Sequence, residues 1–394
     1  MATSAPKKQF SFLDLDKALS KIDTFEMGSL LDTNEFLKTT EWIPVGNYLL
    51  AGQISGSIFG GIPNNRSLGL TGDPGTGKTF LCLNIVKQAQ KLGYDVIYCD
   101  SEGALDDEQV KTKFKIDPLK MRYQPIKTVF QFKSFVSNLL QLVAKAKAET
   151  GVPPKILLIV DSLGMLTTDK EVNNAMEGKN ASDMGLKAKE LRSLFRTITL
   201  DLTGAKIPLV ATNHTTTGGI GGYMPTKESA GGDGPIFSMS NLLFLSKKAL
   251  KDGTTKTGII VTSRPKKLRY TKPTDIDFHI SFETGMNPYV GLEKYVSWDA
   301  CGIQRGRLEV NKKTGELTFE PSETALRWCV KHLNKTVSSK QLFTSEVFTE
   351  DVLRQLDEKV IKPTFLLPAM KEDDEFGELL DSPQGEPEEI EGDE

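Results

Sequence analysis

Short apolar runs alternate with longer amphipathic segments between about residues 66 and 285. The runs are rich in Val, Ile and Leu, as buried strands are, and the intervening segments have the spacing of apolar positions that indicates helices. Strands that alternate with helices predict an α/β fold with a mainly parallel, helix-covered sheet. The last three runs have short connections, so they predict an antiparallel extension of that sheet. The predicted strands are SLGL (67–70), DVIYC (95–99), ILLIV (156–160), IPLVA (207–211), LLFL (242–245), GIIVT (258–262) and FHISF (278–282).

The pattern divides the chain into four segments. Residues 1–40, polar with short apolar clusters, predict an N-terminal arm or oligomerisation segment. Residues 41–295 hold the predicted core, and residues 296–370 form a C-terminal region with a weaker αβ pattern. Residues 371–394 form an acidic tail that is rich in Gly and Pro and nearly free of aromatic residues, which is typical of disorder.

Composition fits a globular, cytoplasmic protein. An apolar content of 38% in 394 residues is enough to bury a full core. No stretch approaches the roughly 18 to 20 apolar residues of a membrane span, and the N-terminus lacks the apolar run of a signal peptide. The four cysteines have neither CxxC nor Cys/His spacing, so neither a disulfide framework nor a zinc site is expected.

The net charge of −3 is the sum of an acidic tail and a basic remainder of the chain. Residues 371–394 contain 12 Asp/Glu and one Lys, so residues 1–370 hold 48 of the 49 basic and 40 of the 52 acidic side chains, a balance of +8. The tail is either a solvated solubility tail or a segment that competes with nucleic acid for the basic surface of this remainder.

The strongest chemical signal is GDPGTGKT, residues 72–79, which fits the pattern GxxxxGK[ST]. It lies between a predicted strand and the predicted helix FLCLNIVKQAQKL, as a phosphate-binding loop requires. Glycines let backbone N–H groups wrap the phosphates, Lys78 reaches the β- and γ-phosphates, and Thr79 offers a hydroxyl to Mg²⁺. The predicted nucleotide-binding residues are Gly72, Asp73, Pro74, Gly75, Thr76, Gly77, Lys78 and Thr79.

Acidic residues follow two other predicted strands. Asp161 comes directly after ILLIV, where a Walker-B carboxylate holds Mg²⁺ through water. Glu102 lies just beyond DVIYC, where it can orient or deprotonate the water that attacks the γ-phosphate; Asp100 is the competing candidate. Loops at the carboxyl ends of adjacent parallel strands share one crevice, so both carboxylates are expected to face the same ligand as Lys78 and His214.

Together these motifs resemble the ATPase core of RecA-type recombinases, and the likeness extends furthest to the UvsX recombinases of tailed bacteriophages. It covers roughly residues 30–295 and is more specific than a phosphate-binding loop alone. The C-terminal third supports it only weakly, through its acidic tail. The motifs that carry the likeness are DSEGAL (100–105), Asp161-Ser162-Leu163-Gly164, Ser193-Leu194-Phe195-Arg196, Thr212-Asn213-His214-Thr215, the Gly231–Gly234 cluster, and Asn287-Pro288-Tyr289 with Gly291-Leu292.

The resemblance implies an ATP-dependent DNA recombinase, that is, a DNA-dependent ATPase with ATP and Mg²⁺ as cofactors. Such a protein forms a helical homo-oligomeric filament on single-stranded DNA, with ATP between neighbouring subunits. It pairs the bound strand with homologous duplex DNA in recombination, repair and recombination-dependent replication. The implied partners are a single-strand-binding protein and a recombination mediator, and the implied location of a phage-encoded member is the host cell cytoplasm.

The resemblance also assigns roles at the nucleotide site. Glu102 takes the role of the catalytic glutamate, and His214 that of the residue that senses the γ-phosphate. Phe80 and Asp106 fall among the residues that contact the nucleotide. Because related proteins often have Gln at the sensor position, the imidazole of His214 predicts a more pH-sensitive activity.

A basic stripe (Lys189, Arg192 and Arg196) lies on the predicted helix MGLKAKELRSLFRTITLDL, which follows the first candidate DNA-binding loop at about residues 169–183. Its members fall at i, i+3 and i+7, apart from the apolar face. Such stripes are usually solvated surface, but the resemblance places Lys189 and Arg196 at DNA-contact positions, so phosphate binding is predicted. The apolar positions are Leu191, Leu194, Phe195, Ile198 and Leu202.

The second candidate DNA-binding loop spans about residues 215–236 and is rich in Thr, Ser and Gly. Few large side chains interrupt it, so it predicts a long mobile loop whose backbone approaches phosphates and whose apolar side chains wedge between bases. By resemblance, Phe237 couples this loop to the nucleotide site. The predicted DNA-binding residues of the loop are Gly231, Gly232 and Asp233.

The strand GIIVT is followed by the basic sequence SRPKKLRY, which contains Lys266, Lys267 and Arg269. By resemblance, Lys266 and Arg269 reach the γ-phosphate of the neighbouring subunit, as arginine fingers do. The alternative is an exposed basic loop that touches DNA.

Two other classes of protein share this fold. A hexameric DNA helicase has many of the same motifs, but the Gly-rich second loop suits strand exchange better. A DNA-repair mediator binds ATP and DNA with little hydrolysis, and the complete set of Lys78, Thr79, Glu102 and Asp161 argues against it. Fold alone does not separate these classes.

Overall fold

A computed structural model describes residues 12–19, 31, 34–179, 184–218, 226–229, 238–310, 314 and 317–368. The strands are β1 (Trp42–Ile43), β2 (Ile62–Pro63), β3 (Ser67–Gly72), β4 (Asp95–Asp100), β5 (Met121–Pro125), β6 (Ile156–Asp161), β7 (Leu209–Asn213), β8 (Thr215–Gly218), β9 (Thr226–Ser229), β10 (Asn241–Asp252), β11 (Thr255–Lys267), β12 (Ile276–Ser281), β13 (Gly285–Met286), β14 (Ile303–Val310), β15 (Leu317–Pro321), β16 (Arg327–Val330) and β17 (Lys335–Ser338). The main helices are α1 (Phe12–Leu19), α2 (Tyr48–Ser55), α3 (Lys78–Lys91), α4 (Asp107–Thr112), α5 (Val129–Thr150), α6 (Asp169–Met176) and α7 (Met184–Gly204). Short C-terminal helices lie at Trp298–Cys301, Ser339–Leu342, Glu350–Leu356 and Lys362–Phe365, and a π-helical turn at Asp357–Ile361 joins the last two.

A nine-stranded sheet forms the centre of the protein, in the order β13-β12-β11-β10-β3-β7-β6-β4-β5. Neighbouring strands from β10 to β5 run parallel. From β10 to β13 the neighbours run antiparallel. The prediction of a mainly parallel, helix-covered sheet with an antiparallel extension is therefore confirmed.

Apolar cores lie on both faces of this sheet. One core contains apolar residues of α2 and α3, and the other contains those of α5 and α7. Because both faces are covered, the central strand β6 is apolar from Ile156 to Val160, and Leu157 to Val160 are fully buried. Of the helices in the described part of the chain, none has the length and apolar composition that crossing a bilayer requires.

The C-terminal part contains a four-stranded antiparallel sheet in the order β15-β14-β16-β17. The ring of Trp298 stacks on that of Phe319, with 4.0 Å between centroids. The helices that follow return to the core, where the buried carboxylate of Asp357 accepts hydrogen bonds from Ser57 Oγ at 2.7 Å and from Ile58 N at 2.8 Å. Leaving a buried polar group without a hydrogen-bond partner lowers the stability of the fold. These bonds therefore fix the C-terminal helices to the loop after α2.

Candidate active site and nucleic-acid interface

The carboxyl ends of β3, β4, β6 and β7 meet at one edge of the central sheet. The ends of β4 and β6 are in register, with Asp100 opposite Asp161. The loop of residues 72–79 follows β3, Glu102 follows β4, and His214 follows β7. Parallel pairing thus gathers at one edge groups that lie far apart in the sequence.

Positive φ angles favour glycine at two positions of the loop of residues 72–79. Gly75 has a φ of +72° and Gly77 a φ of +90°, a region that other residues rarely adopt. A Cβ at Gly77 would lie 2.6 Å from Cδ1 of Ile280, which is too close. The main chain can therefore wrap tightly at the N-terminus of α3, where the helix dipole favours anions.

The ammonium of Lys78 is buried inside this loop. Its Nζ donates to the main-chain oxygen of Gly72 at 2.7 Å and to that of Asp73 at 3.2 Å. Burial lowers the pKa of Lys78, and the charges of Asp161 and Glu102 act in the opposite direction. A partly desolvated cation at this position interacts more strongly with an anionic ligand than it would in water.

Three hydroxyl groups fix the carboxylate of Asp161. Thr79 Oγ1 and Tyr98 Oη each donate to Oδ2 at 2.7 Å, and Thr212 Oγ1 donates to Oδ1. The side chain is buried, and the peptide bond from Asp161 to Ser162 is cis. A carboxylate with partners on both oxygens has a defined orientation, as a metal-holding group needs.

Glu102 and His214 form a contact beside the loop. Nε2 of His214 lies 2.8 Å from Oε1 of Glu102, and Ser162 Oγ donates to the same oxygen at 2.7 Å. Both contacts fall on Oε1, so within the described part of the chain Oε2 is left for another partner. Burial raises the pKa of Glu102, but hydrogen bonds from Ser162 and His214 and the charges of His214 and Lys78 outweigh it, so the pKa lies below its usual value.

Asp100, the competing candidate, shapes the turn that carries Glu102. Its Oδ1 accepts from the main-chain N–H groups of Glu102 and Gly103, both at 2.8 Å. Its Oδ2 accepts from Tyr123 Oη at 3.1 Å. Since both oxygens have protein partners, the geometry favours Glu102 as the group that faces a reacting water.

The donor set suits Mg²⁺ that is bound together with a triphosphate. Among the described residues, no cluster of three or more His, Cys, Asp or Glu side chains could hold a metal. A hydroxyl and one carboxylate, 2.7 Å apart in Thr79 and Asp161, are instead present. Mg²⁺ in nucleotide sites is commonly held by one or two protein groups, phosphate oxygens and water, so these residues fit the ion.

Phe80 and Asp106, predicted to contact the nucleotide, have partners within the protein. The ring of Phe80 packs edge-on against Phe114, with 5.1 Å between centroids. The carboxylate of Asp106 caps α4, because it accepts from the N–H of Gln109 at 2.8 Å. Their contacts with a nucleotide stay a prediction.

The structure does not bring Lys266 and Arg269 to the loop of the same subunit. β11 runs antiparallel, and its last residue, Lys267, lies opposite Leu242, which is itself paired with Gly69 on β3. This end of β11 therefore lies toward the opposite edge of the sheet from the loop of residues 72–79. Lys266 is exposed there, with its Nζ 5.6 Å from the ring centroid of Phe244.

Several residues of the site were not singled out as functional from the sequence. In the sequence, Tyr98 looks like an ordinary residue in the interior of a strand, and Ser162 belongs to a motif without a role of its own. Thr215 Oγ1 donates to Asp73 Oδ1, and Lys247 Nζ donates to the main-chain oxygen of Pro74 at 2.7 Å. The signal in the sequence that could have found two of them is their place after a strand. Ser162 directly follows the last residue of β6, and Thr215 comes two residues after the last residue of β7.

The candidate DNA face has the predicted separation of its two sides. On α7 the five apolar positions are buried and the basic stripe is exposed, which confirms this part of the prediction. The preceding stretch of about residues 169–183 is helical over α6, because Thr168 and Glu171 form a capping box. Residues 180–183 lie outside the described residues.

The second stretch is described only in part. β8 and β9 form an antiparallel pair within it, from Thr215 opposite Ser229 to Gly218 opposite Thr226. A strand pair in place of a continuous loop agrees with the β-branched threonines at the start of the stretch. The predicted residues Gly231, Gly232, Asp233 and Phe237 lie outside the described residues.

Comparison with known proteins identifies the family. A profile of the RecA N-terminal domain matches residues 13–287. The chain is 26% identical over 359 residues to the recombination and repair protein of Enterobacteria phage T4, which covers 86% of this chain and 85% of that protein. It is 26% identical to protein RecA of Sulfurovum sp. (strain NBC37-1), with 81% and 90% covered, and 26% identical to protein RecA of Thermus aquaticus, with 74% and 85% covered. The chain belongs to the RecA family, and the predicted resemblance is confirmed.

Proposed function

We propose that this chain is an ATP-driven DNA recombinase that forms filaments on single-stranded DNA and exchanges strands with homologous duplex DNA. Membership of the RecA family and the names of the relatives support a role in recombination and repair. The observation that carries the proposal is the contact of Glu102 with His214 beside a complete phosphate-binding loop. Because of this contact, a carboxylate that can activate water lies beside the loop that can bind phosphates.

In the proposed mechanism each group at the edge of the sheet has one task. Lys78 neutralises the β- and γ-phosphates, and Thr79 and Asp161 are the residues that would hold Mg²⁺, Thr79 through its hydroxyl and Asp161 through water. The ion, when bound, would supply charge neutralisation at the phosphate oxygens. Glu102 orients the attacking water and accepts its proton through Oε2. His214 senses the γ-phosphate and precedes β8, so its position is relayed to the second DNA-binding stretch.

DNA is held by its phosphates in this proposal. The basic stripe of α7 supplies side-chain contacts, and Gly231, Gly232 and Asp233 supply main-chain contacts. Phe237 couples that stretch to the nucleotide. Because phosphate contacts and base stacking carry little base information, no sequence specificity is expected.

The filament completes the proposed site. Lys266 and Arg269 lie toward the edge of the sheet opposite the loop, which suits residues that serve the γ-phosphate of a neighbouring subunit. Residues 1–40 act as the oligomerisation segment of the core at residues 41–295. A single-strand-binding protein and a mediator assist loading, and the filament also serves recombination-dependent replication.

ATP hydrolysis by the purified protein, with and without single-stranded DNA, tests the proposal when it is combined with electron microscopy and a D-loop assay. Strong stimulation by DNA, helical filaments and joint-molecule formation are expected. Closed rings would point to a helicase. An ATP turnover rate that does not change when DNA is added would contradict the coupling of hydrolysis to DNA binding.

ATP turnover is expected to fall as the pH drops from 8 to 6, and this fall is expected to disappear in His214→Gln. The pKa of Glu102 lies below its usual value, so this carboxylate stays ionised throughout the range. Nε2 of His214 lies 2.8 Å from Oε1 of Glu102, so an imidazolium at this position would hold the carboxylate in an ion pair and weaken it as a base. Turnover is measured at saturating ATP and DNA. A flat wild-type profile, or the same fall in both proteins, contradicts the prediction.

Replacing Arg196 with alanine is expected to make single-stranded DNA binding less dependent on salt. Each phosphate contact releases counterions and contributes about −0.7 to the slope of log K against log salt concentration, so the slope should become shallower by about 0.7. Fluorescence anisotropy of a labelled oligothymidylate over a salt series measures it. Lys145→Ala is the control, because that side chain is 74% exposed on α5. An unchanged slope in Arg196→Ala would mean that Arg196 does not contact a DNA phosphate.

A further inference from the structure

Lys187 connects the helix of the basic stripe to the turn after β6. It lies in the first turn of α7, and its half-buried side chain donates from Nζ to the main-chain oxygen of Gly164 at 2.5 Å. Gly164 is the middle residue of the 3₁₀ turn Leu163–Met165, which directly follows Asp161 and Ser162. The contact therefore joins α7 to the edge of the sheet that carries the active site.

The same turn is connected to the catalytic carboxylate. The N–H of Ser162 donates to Ser101 Oγ at 2.8 Å, and Ser101 Oγ donates to the main-chain oxygen of Ser162 at 2.7 Å. Ser162 Oγ in turn donates to Oε1 of Glu102 at 2.7 Å. Because Ser162 precedes the turn directly, a displacement at Gly164 shifts the hydrogen bond that orients Glu102.

The Lys187 contact is better explained as a means of positioning the turn at Gly164 than as a contribution to the stability of the fold. Burial lowers the pKa of Lys187, against the opposing charge of Glu171, so the fold disfavours the charged form of this side chain. A methionine would fill the same space without desolvating a charge. Lys133 of α5 offers a comparison, since its Nζ donates to Ser193 Oγ of α7 at 3.3 Å. Ser193 lies on the same helix but away from the turn.

We infer that Lys187 is a positioning residue for Glu102, through which DNA contacts on α7 adjust the catalytic carboxylate. The inference rests on the proposed function, in which the basic stripe binds DNA. Lys187 acts through Gly164 and Ser162 and takes no part in the reaction itself. When a bound strand shifts α7, the turn moves with it and sets the hydrogen bond from Ser162.

The first test compares ATP turnover at saturating single-stranded DNA with turnover in its absence. Lys187→Met is expected to lower the ratio of the two rates at least about 5-fold, the lower end of common coupling between sites. Lys187→Arg, which keeps a cationic donor, is expected to retain most of the ratio. Lys133→Met is the matched control, since it removes a lysine that contacts α7 but not the turn, and its ratio is expected to equal that of the wild type.

The second test measures binding alone. The affinity for a non-hydrolysable ATP analogue is measured with and without DNA, and the affinity for DNA with and without the analogue. Linkage requires the two factors to be equal in each protein. Because Lys187 acts on the carboxylate of Glu102 and not on the phosphate-binding groups, both factors are expected to stay at the wild-type value in Lys187→Met while the ratio of turnover rates falls. A purely structural role would instead change the affinities, the coupling factor or the thermal stability.

Three outcomes overturn the inference in distinguishable ways. A wild-type ratio of turnover rates in Lys187→Met would refute it and leave the proposed function standing. An equal loss in Lys133→Met would show that any weakening of the α7 packing has this effect. A wild-type protein without DNA stimulation would refute the proposed function together with the inference. Lys187→Gln provides the same comparison if the methionine variant does not fold.

Discussion

Replacing Glu102 with glutamine is expected to lower ATP turnover by about 10²- to 10⁴-fold, the usual contribution of general acid–base catalysis. Glutamine has nearly the same shape, and its carbonyl oxygen can still accept the hydrogen bond from Ser162. It cannot take a proton from water as a carboxylate does. Nucleotide binding is therefore expected to stay within a few-fold of wild type, because Lys78, Thr79 and Asp161 are untouched.

Phosphate release at saturating ATP and DNA, together with binding of a fluorescent ATP analogue, measures the two effects separately. Glu108→Gln is the matched control, since it makes the same chemical change on the exposed surface of α4, close in sequence to Glu102. Turnover in Glu102→Gln within about fivefold of wild type would fall below the range of such catalysis and exclude the role of base. Asp100 would not then be a simple substitute, since it holds the turn through Glu102 N and Gly103 N.

The arrangement of the candidate active site could be predicted because each of its groups follows a strand that the sequence marks clearly. Asp161 comes after a run of apolar residues that the structure buries almost completely. The loop of residues 72–79 combines obligatory glycines with a strand before it and a helix after it. Parallel strands expose their carboxyl ends together, so local patterns were sufficient to gather Lys78, Glu102 and His214.

The partners of these groups could not be predicted, because they depend on contacts between distant segments. Tyr98 has the pattern of an ordinary buried strand residue, yet its hydroxyl reaches Asp161, since β4 and β6 are neighbours in register. Lys187 belongs to a helix whose other lysine, Lys189, points to solvent. The two lysines differ only because α7 packs beside the turn at Gly164, where Lys187 finds a hydrogen-bond acceptor.

The C-terminal region gave a weak pattern for a physical reason. β15 alternates between half-buried and exposed residues, and β16 and β17 are four residues long. Such strands have too few buried positions for a period to stand out. α6 was instead missed although the sequence contains its signal, because Thr168 and Glu171 have the spacing of a capping box.

Replacing Lys78 with alanine is expected to remove ATP binding and turnover together. In the proposed function the ammonium is the cation that neutralises the β- and γ-phosphates, and loss of one group that stabilises developing charge lowers turnover by about 10²- to 10³-fold. Mg²⁺ and ATP should then fail to raise the thermal unfolding temperature, because a ligand stabilises only in proportion to its binding. The nucleotide-free variant is expected to be about as stable as the wild type, since the desolvation of the ammonium offsets its bonds to Gly72 and Asp73.

Thermal unfolding with and without ATP and Mg²⁺ therefore separates the two catalytic variants. Lys91→Ala, at the exposed end of α3, is the control for loss of a lysine from the same helix. The ligand should stabilise wild type, Lys91→Ala and Glu102→Gln, and leave Lys78→Ala unchanged. Stabilisation of Lys78→Ala equal to that of wild type would mean that the phosphates bind away from this loop. Stabilisation of Glu102→Gln without turnover is the result that assigns binding to the loop and hydrolysis to the carboxylate beside it.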